Sequence, residues 1–133
     1  MNVSELLNSG SISLKLNKIK TYQLDSELVL SNLLKKKRES LLISLNEKVS
    51  EDTIANFEQL MTRRANREPL AYILKNKEFW SKDFFVNRNT LIPRPETELL
   101  CESVIKIFKN KNLHILDIGT GSGCIILSIL SEI

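Results

Sequence analysis

The stretch that decides the fold is LHILDIGTGSGC, residues 113–124. Residues 113–118 are almost continuously apolar, as in a strand that is buried on both faces of a parallel sheet. Three alternating glycines follow, and from Ser122 onward apolar residues recur with helical spacing. A strand, a glycine loop and a helix in this order predict the opening of an α/β nucleotide-type fold.

The glycine loop indicates a ligand without phosphate. Alternating glycines let the main chain approach a ligand and leave N–H groups free to bind an anion. A dinucleotide fingerprint needs glycine at position 124, and a Walker loop needs lysine there, but Cys124 occupies that position. Asp117 before the loop suits a ligand with an ammonium group and a carboxylate, such as S-adenosylmethionine. The alternative is a tight turn without ligand, but the combined strand, acid and helix favour binding.

Toward the N-terminus the sequence predicts a bundle of short helices. Up to Arg67 there is no proline and one glycine, Gly10, while leucine and isoleucine recur every three or four residues. Ser50 is predicted to cap a helix that contains Ile54, Phe57, Leu60 and Met61. Other apolar stripes lie at Leu24, Leu28, Leu33 and Leu34, and at Leu41, Leu42 and Leu45. Three arginines should complement the dipole at the end of the capped helix: Arg63, Arg64 and Arg67.

A change of pattern begins at Glu68-Pro69, because proline disfavours helical geometry in the preceding residue. The aromatic and β-branched runs at residues 77–80 and 83–86, separated by Ser81-Lys82, predict a β-hairpin. A helix should follow from Pro95 to near Asn110, with Glu96 and Glu98 at its positive end. Its buried face is predicted to contain Leu100, Val104, Ile107 and Phe108.

Composition excludes several classes of protein. The 133 residues are 42% apolar and 26% charged, as in a globular protein, and the net charge of +3 is spread over both signs. No signal peptide and no run of eighteen apolar residues occur, so we expect a cytoplasmic protein without membrane insertion. Two cysteines and one histidine indicate neither a disulfide framework nor a metal site.

Several motifs in a fixed order resemble the HemK/PrmC family of release-factor glutamine N5-methyltransferases. They are IPRPETE at residues 92–98, ILDIGTGSGC at 115–124, and the link region from Arg63 through EPLAYI at 68–73 to EFW at 78–80. The resemblance covers nearly the whole chain and is strongest from Arg63 onward. Arg67 and Asn76 stand where the family usually has glycine, although asparagine tolerates a left-handed backbone.

The resemblance implies an α+β protein in three parts. Residues 1–75 would form an N-terminal helical bundle that docks the release factor, residues 76–92 a β-hairpin linker, and residues 93–133 the first strand and helix of a class I, Rossmann-like methyltransferase domain. It implies that S-adenosylmethionine binds the loop residues Asp117, Gly119, Thr120, Gly121, Ser122 and Gly123. Arg94, Glu96 and Thr97 would lie beside the pocket, unless this segment only begins a helix.

The implied reaction transfers a methyl group to the amide nitrogen of glutamine. This nitrogen is a poor nucleophile and must be positioned, which in the family is the task of an Asn-Pro-Pro-Tyr motif. These 133 residues contain no such motif, so we predict no catalytic residue among them and expect a partial chain that is inactive alone. The unpaired strand at residues 113–118 supports the same expectation.

Two alternatives remain open at this point. A related methyltransferase acting on adenine N6 in nucleic acid would use Lys35 to Arg38 as a phosphate contact, although a charge run of this size is usually a solvated face. A non-catalytic module would bind a release factor through the helical domain alone. We otherwise expect nucleic acid to be met only indirectly, through the ribosome.

Overall fold

The structure is a computed structural model that describes all residues from Met1 to Ile133. The chain divides into two compact units, a helical unit of Met1–Leu74 and a second unit of Lys75–Ile133. The helical unit contains α1 (Val3–Leu16), α2 (Tyr22–Leu34), α3 (Arg38–Ile43), α4 (Glu51–Ala65) and α5 (Leu70–Leu74). The second unit contains β1 (Asn76–Phe79), β2 (Lys82–Phe85), a 3-10 turn (Pro95–Thr97), α6 (Glu98–Phe108) and α7 (Cys124–Leu130). The division into docking domain, linker and catalytic domain stays a prediction.

The predicted helical bundle is confirmed, and polar caps define where its helices begin. The Asn2 side chain accepts a hydrogen bond from the Glu5 N–H at 2.8 Å, while the Glu5 carboxylate accepts one from the Asn2 N–H at 2.9 Å. This reciprocal pair satisfies two backbone donors that the helix cannot use. Ser50 caps α4 as predicted, since its hydroxyl accepts from the Thr53 N–H.

The core of the helical unit lies between α1, α2 and α4. Its buried apolar residues are Val3, Leu6, Leu7, Leu14, Ile19, Val29, Leu30, Leu41, Phe57, Met61 and Ile73. The buried apolar residues of α2 are Val29 and Leu30, whereas Leu24 of the predicted stripe is exposed. A Cβ at Gly10 would meet the Phe57 ring at 2.7 Å, so glycine is what allows α1 and α4 to pack this closely.

Arg67, which stands where the resembled family usually has glycine, ends α4 in a left-handed conformation. Arg67 has φ +69°, and its N–H donates to the Arg64 carbonyl while the Glu68 N–H donates to that of Arg63. Glycine would adopt this left-handed helix end without strain.

The neighbouring arginines do more than complement the helix dipole. Arg63 forms two hydrogen bonds to the Glu68 carboxylate, and Arg64 Nε donates to Asp25 Oδ2 at 2.7 Å.

The predicted hairpin is present, but its turn is displaced by one residue. Phe79 pairs with Lys82, so the turn consists of Trp80 and Ser81 and not of Ser81 and Lys82. Both turn residues have positive φ, +54° and +53°, the type I′ geometry that matches the twist of a hairpin. The left-handed residue before β1 is Lys75 and not Asn76.

The predicted helix after Pro95 begins as the 3-10 turn and continues as α6. Its buried face differs from the prediction, because Leu100 and Ile107 are exposed while Cys101 is fully buried. The hairpin determines this face. Phe79 and Phe84, which meet edge to face with ring centroids 6.3 Å apart, form the second core together with Cys101, Cys124 and Ile129.

The strand predicted at residues 113–118 is not formed, so this prediction is wrong. The segment has no regular secondary structure, and Leu116 and Ile118 are 83% and 88% exposed. A strand is stable only when a neighbour pairs with its backbone, and the sheet of this structure consists of β1 and β2 alone. The observed fold is helix-rich with one small antiparallel sheet. None of its helices combines the length and apolar character needed to cross a bilayer.

Candidate functional site

The glycine loop has the backbone conformation that its sequence indicates. Gly119, Gly121 and Gly123 have φ values of +78°, +57° and +81°, where residues with a side chain are strained. A Cβ at Gly119 would meet no atom within 4 Å, so the space beside it is open. Glycine is therefore required here by backbone conformation, and the loop leaves room for a ligand.

One carboxylate and several unused donors lie in this loop. Asp117, which is half-buried, accepts a hydrogen bond from the Thr120 hydroxyl at 3.0 Å. The Gly123 N–H donates to the Thr120 carbonyl at 2.9 Å, whereas the N–H groups of Gly119 and Gly121 donate to no protein atom. The Ser122 hydroxyl is buried without a hydrogen-bond partner. The loop thus presents an acceptor for a cation beside donors for an anion.

These groups fit the amino-acid end of S-adenosylmethionine. An ammonium group can pair with the Asp117 carboxylate, and a carboxylate can accept hydrogen bonds from the free glycine N–H groups. Residues 117–123 contain no lysine or arginine to neutralise a phosphate. The donors and acceptors therefore favour a zwitterionic ligand over a nucleotide phosphate.

The second group of predicted cofactor residues lies apart from these contacts. Arg94 and Glu96 are exposed, and the half-buried Thr97 donates its N–H to the Arg94 carbonyl at 3.0 Å. No hydrogen bond or ion pair joins these three residues to the glycine loop. The structure thus brings the six loop residues together, and a role for Arg94, Glu96 and Thr97 in the pocket stays a prediction.

Glu98 is a residue whose contact the sequence did not indicate. Its carboxylate accepts a hydrogen bond from the Trp80 N–H at 2.8 Å, and the Trp80 indole donates to Glu132 at 3.1 Å. A cleft of about 500 Å³ lies beside these residues, lined also by Glu78, Ser81 and Lys82. The sequence assigned Glu98 only to the helix dipole, because no local pattern relates positions eighteen residues apart.

The basic run at Lys35 to Arg38 is partly occupied by ion pairs. Lys36 pairs with Glu47, and Arg38 Nε donates to Glu27 Oε2 at 2.5 Å. The Glu27 side chain is only 5% exposed, so Arg38 is needed to compensate a buried charge. These pairs weaken the hypothesis that the run contacts phosphates.

Both cysteines are free and buried in the second core. Burial raises the pKa of the Cys101 thiol, and the nearby Cys124 and Glu98 raise it further. Cys101 is therefore a protonated, unreactive thiol at neutral pH. No three His, Cys, Asp or Glu side chains are grouped so that they could hold a metal ion.

The helical unit carries an open groove of about 350 Å³ between α1, α2 and α3. Its apolar lining comes from Leu7, Tyr22, Leu42 and Leu45, with Asn8, Ser11, Gln23 and Glu27 as the polar part. Leu42 is 40% exposed, so apolar surface is accessible here although the core beneath is closed.

Comparison with known proteins gives matches to both units. Residues 5–74 match the family model of the PrmC N-terminal domain. A release factor glutamine methyltransferase of Buchnera aphidicola subsp. Baizongia pistaciae is 43% identical over 90% of this chain and 44% of its own length. A relative of the same name from Aliivibrio fischeri is 39% identical over 99% of this chain and 46% of its length. A bifunctional methyltransferase of Rickettsia typhi is 37% identical over 99% of this chain and 29% of its length.

This chain thus spans less than half the length of these curated relatives. The family match coincides with the helical unit, and the more extended alignments include the glycine loop. The chain therefore belongs to the HemK/PrmC family, and residues 5–74 are its PrmC N-terminal domain.

Proposed function

We propose that this chain is part of a cytoplasmic, S-adenosylmethionine-dependent methyltransferase that modifies the glutamine side-chain amide of peptide chain release factors. The observation that carries the proposal is the loop from Asp117 to Gly123, with three left-handed glycines beside a carboxylate. The names of the relatives from Buchnera and Aliivibrio support the substrate. In this proposal the second unit is the beginning of a Rossmann-like class I methyltransferase domain.

Four of the loop residues then have defined tasks. The Asp117 carboxylate binds the ammonium group of the cofactor, with Thr120 holding the carboxylate in place at 3.0 Å. The free N–H groups of Gly119 and Gly121 donate to the cofactor carboxylate. The cofactor supplies an electrophilic methyl group on its sulfonium. That the 133 residues lack transfer activity by themselves stays a prediction.

Calorimetric titration of the chain with S-adenosylmethionine tests this site. We expect binding by the wild type and about tenfold weaker binding by Asp117→Asn, because a charge-assisted contact is lost. Asp52→Asn, an exposed acid in the first turn of α4, is the matched control and should bind as the wild type. Absence of binding by the wild type would reject the site and favour a non-catalytic binding module.

The helical unit is proposed to dock the release factor, as the match over residues 5–74 supports. Its groove offers apolar surface beside the half-exposed Leu42. In a binding assay with a purified release factor, Leu42→Asp should weaken affinity at least about tenfold if this residue is an anchor. Ile43→Asp is the matched control, because Ile43 lies on the same helix, is 87% exposed and does not line the groove. Equal effects of the two variants would refute docking at this groove.

A further inference from the structure

The hairpin turn holds a tryptophan in a backbone conformation that it rarely adopts. Trp80 and Ser81 both have left-handed φ values, at positions where asparagine and glycine are the favoured residues. Such a conformation persists only where the surroundings determine it. The contacts of Trp80 therefore show what holds the turn.

Two carboxylates, one in α6 and one just after α7, hold Trp80. Glu98, the first residue of α6, accepts from its backbone N–H at 2.8 Å, and Glu132, which follows α7, accepts from its indole N–H at 3.1 Å. Glu98 also directly follows the Pro95–Thr97 turn. The hydrogen bond to Trp80 thus anchors this turn to the hairpin.

The same helices flank the candidate cofactor site. The segment Arg94–Thr97 precedes α6, and the glycine loop precedes α7. Cys101 of α6 and Cys124 of α7 are buried in one cluster with Phe79, the strand residue next to Trp80. Displacement of the start of α6 would therefore disturb the packing at the end of the glycine loop.

We propose that Glu98 is a positioning residue for cofactor binding, acting through the Trp80 N–H to fix the Arg94–Thr97 segment beside the α6–α7 core. This inference rests on the proposed function, because cofactor binding is what the segment would be positioned for. The contact that the Glu98 carboxylate makes is with the hairpin, through the Trp80 N–H. Its neutral isostere glutamine retains the accepting Oε1 atom, whereas alanine does not.

The first test needs no ligand and uses amide hydrogen exchange on the 133-residue chain. Glu98→Ala should speed exchange of the Trp80 and Thr97 N–H groups by about tenfold, because their local structure opens more often. Glu98→Gln should stay close to the wild type. Glu102→Ala, an exposed acid of α6 without an ion pair, is the control. Unchanged exchange in Glu98→Ala would overturn the inference.

The second test measures affinity for S-adenosylmethionine by calorimetry. We expect about tenfold weaker binding by Glu98→Ala, and binding within about threefold of the wild type by Glu98→Gln, whose hydrogen bond is neutral but retained. Trp80 is the single tryptophan, and we expect any response of its fluorescence to cofactor to have its midpoint at about tenfold higher cofactor concentration in Glu98→Ala than in the wild type or Glu98→Gln. The hydrogen-exchange pattern of the first test separates this effect from general unfolding, since unfolding would speed exchange throughout the second unit.

The outcomes separate the two proposals. Equal affinity of Glu98→Ala and wild type would overturn the role of Glu98 and leave the cofactor site intact. Loss of affinity in both Glu98→Ala and Glu98→Gln would also overturn it, because the shared hydrogen bond would then not be the cause. Absence of binding by the wild type would reject the proposed function, and the positioning role with it.

Discussion

The two units differ in how much of their apolar surface they cover. The helical unit has a core cluster of eleven buried residues and leaves seven large apolar side chains exposed, whereas the second unit has a cluster of five and leaves twelve exposed. Burial of apolar surface is the main stabilising contribution to a fold. The helical unit therefore supplies its own core, and the second unit depends on a small cluster at the hairpin.

The buried charged side chains of the structure lie in the helical unit. Four ion pairs lie within the helical unit, where Asp25 and Glu27 are almost fully buried and each is paired with an arginine from another helix. In the second unit, hydrogen bonds to Trp80 connect the hairpin to Glu98 and Glu132. Removal of one partner of such a buried pair is destabilising, because it leaves the other charge buried without compensation.

The largest expected effect tests whether the units unfold separately. Phe57→Ala should lower the free energy of unfolding of the helical unit by about 3–5 kcal/mol, since the Phe57 ring is fully buried. In a urea titration, far-UV circular dichroism reports mainly the helical unit and Trp80 fluorescence reports the second unit. We expect the fluorescence transition at lower urea in the wild type, and Phe57→Ala should move only the circular dichroism transition. Leu16→Ala, at a side chain 78% exposed, is the control, and coincident transitions would contradict the comparison.

Removal of a buried ion pair should have the next largest effect. Arg64→Ala should destabilise the helical unit by about 2–3 kcal/mol, because Asp25 would keep a buried charge without its partner. Lys36→Ala removes the exposed pair with Glu47 and should cost less than about 1 kcal/mol. Urea unfolding followed by circular dichroism measures both variants. Similar losses would show that burial of the ion pair does not matter here.

The strained turn predicts a stabilising change in the second unit. Ser81→Gly should raise its stability by about 1 kcal/mol, because glycine adopts positive φ without a steric penalty. The matched control, Ser103→Gly, places glycine inside α6 and should lower stability by about 0.5–1 kcal/mol. Trp80 fluorescence during urea unfolding reports both. A loss of stability in Ser81→Gly would mean that the turn is not strained.

The smallest effect concerns the alkaline pH dependence of the second unit. Burial raises the pKa of the Cys101 thiol in the folded state. The stability that the protonated thiol contributes is therefore complete below the pKa of the unfolded state, and it is lost as the pH rises through the pKa of the folded state. Between about pH 8 and pH 10, the stability measured by Trp80 fluorescence should fall more steeply in the wild type than in Cys101→Ala. Equal slopes would contradict this assignment.

Local patterns were sufficient for the elements whose stability is local. The cap at Ser50, the helices around it and the glycine loop follow from residues within a few positions of one another. The hairpin was predictable, but its turn was displaced by one residue because Trp80 and Ser81 carry no asparagine or glycine signal for positive φ. The prediction of the buried face of α6 was partly wrong. Phe79 and Phe84 pack against Cys101, and Leu100 and Ile107 remain exposed.

The sequence by itself determined the helical unit, the glycines that need left-handed backbone, and the family to which the chain belongs. Only the tertiary structure decided that residues 113–118 remain without a strand and that Glu98 binds the hairpin turn. The physical reason is the range of the interactions. Helix caps and glycine conformations depend on near neighbours, whereas a strand or a distant hydrogen bond exists only when another part of the fold supplies its partner.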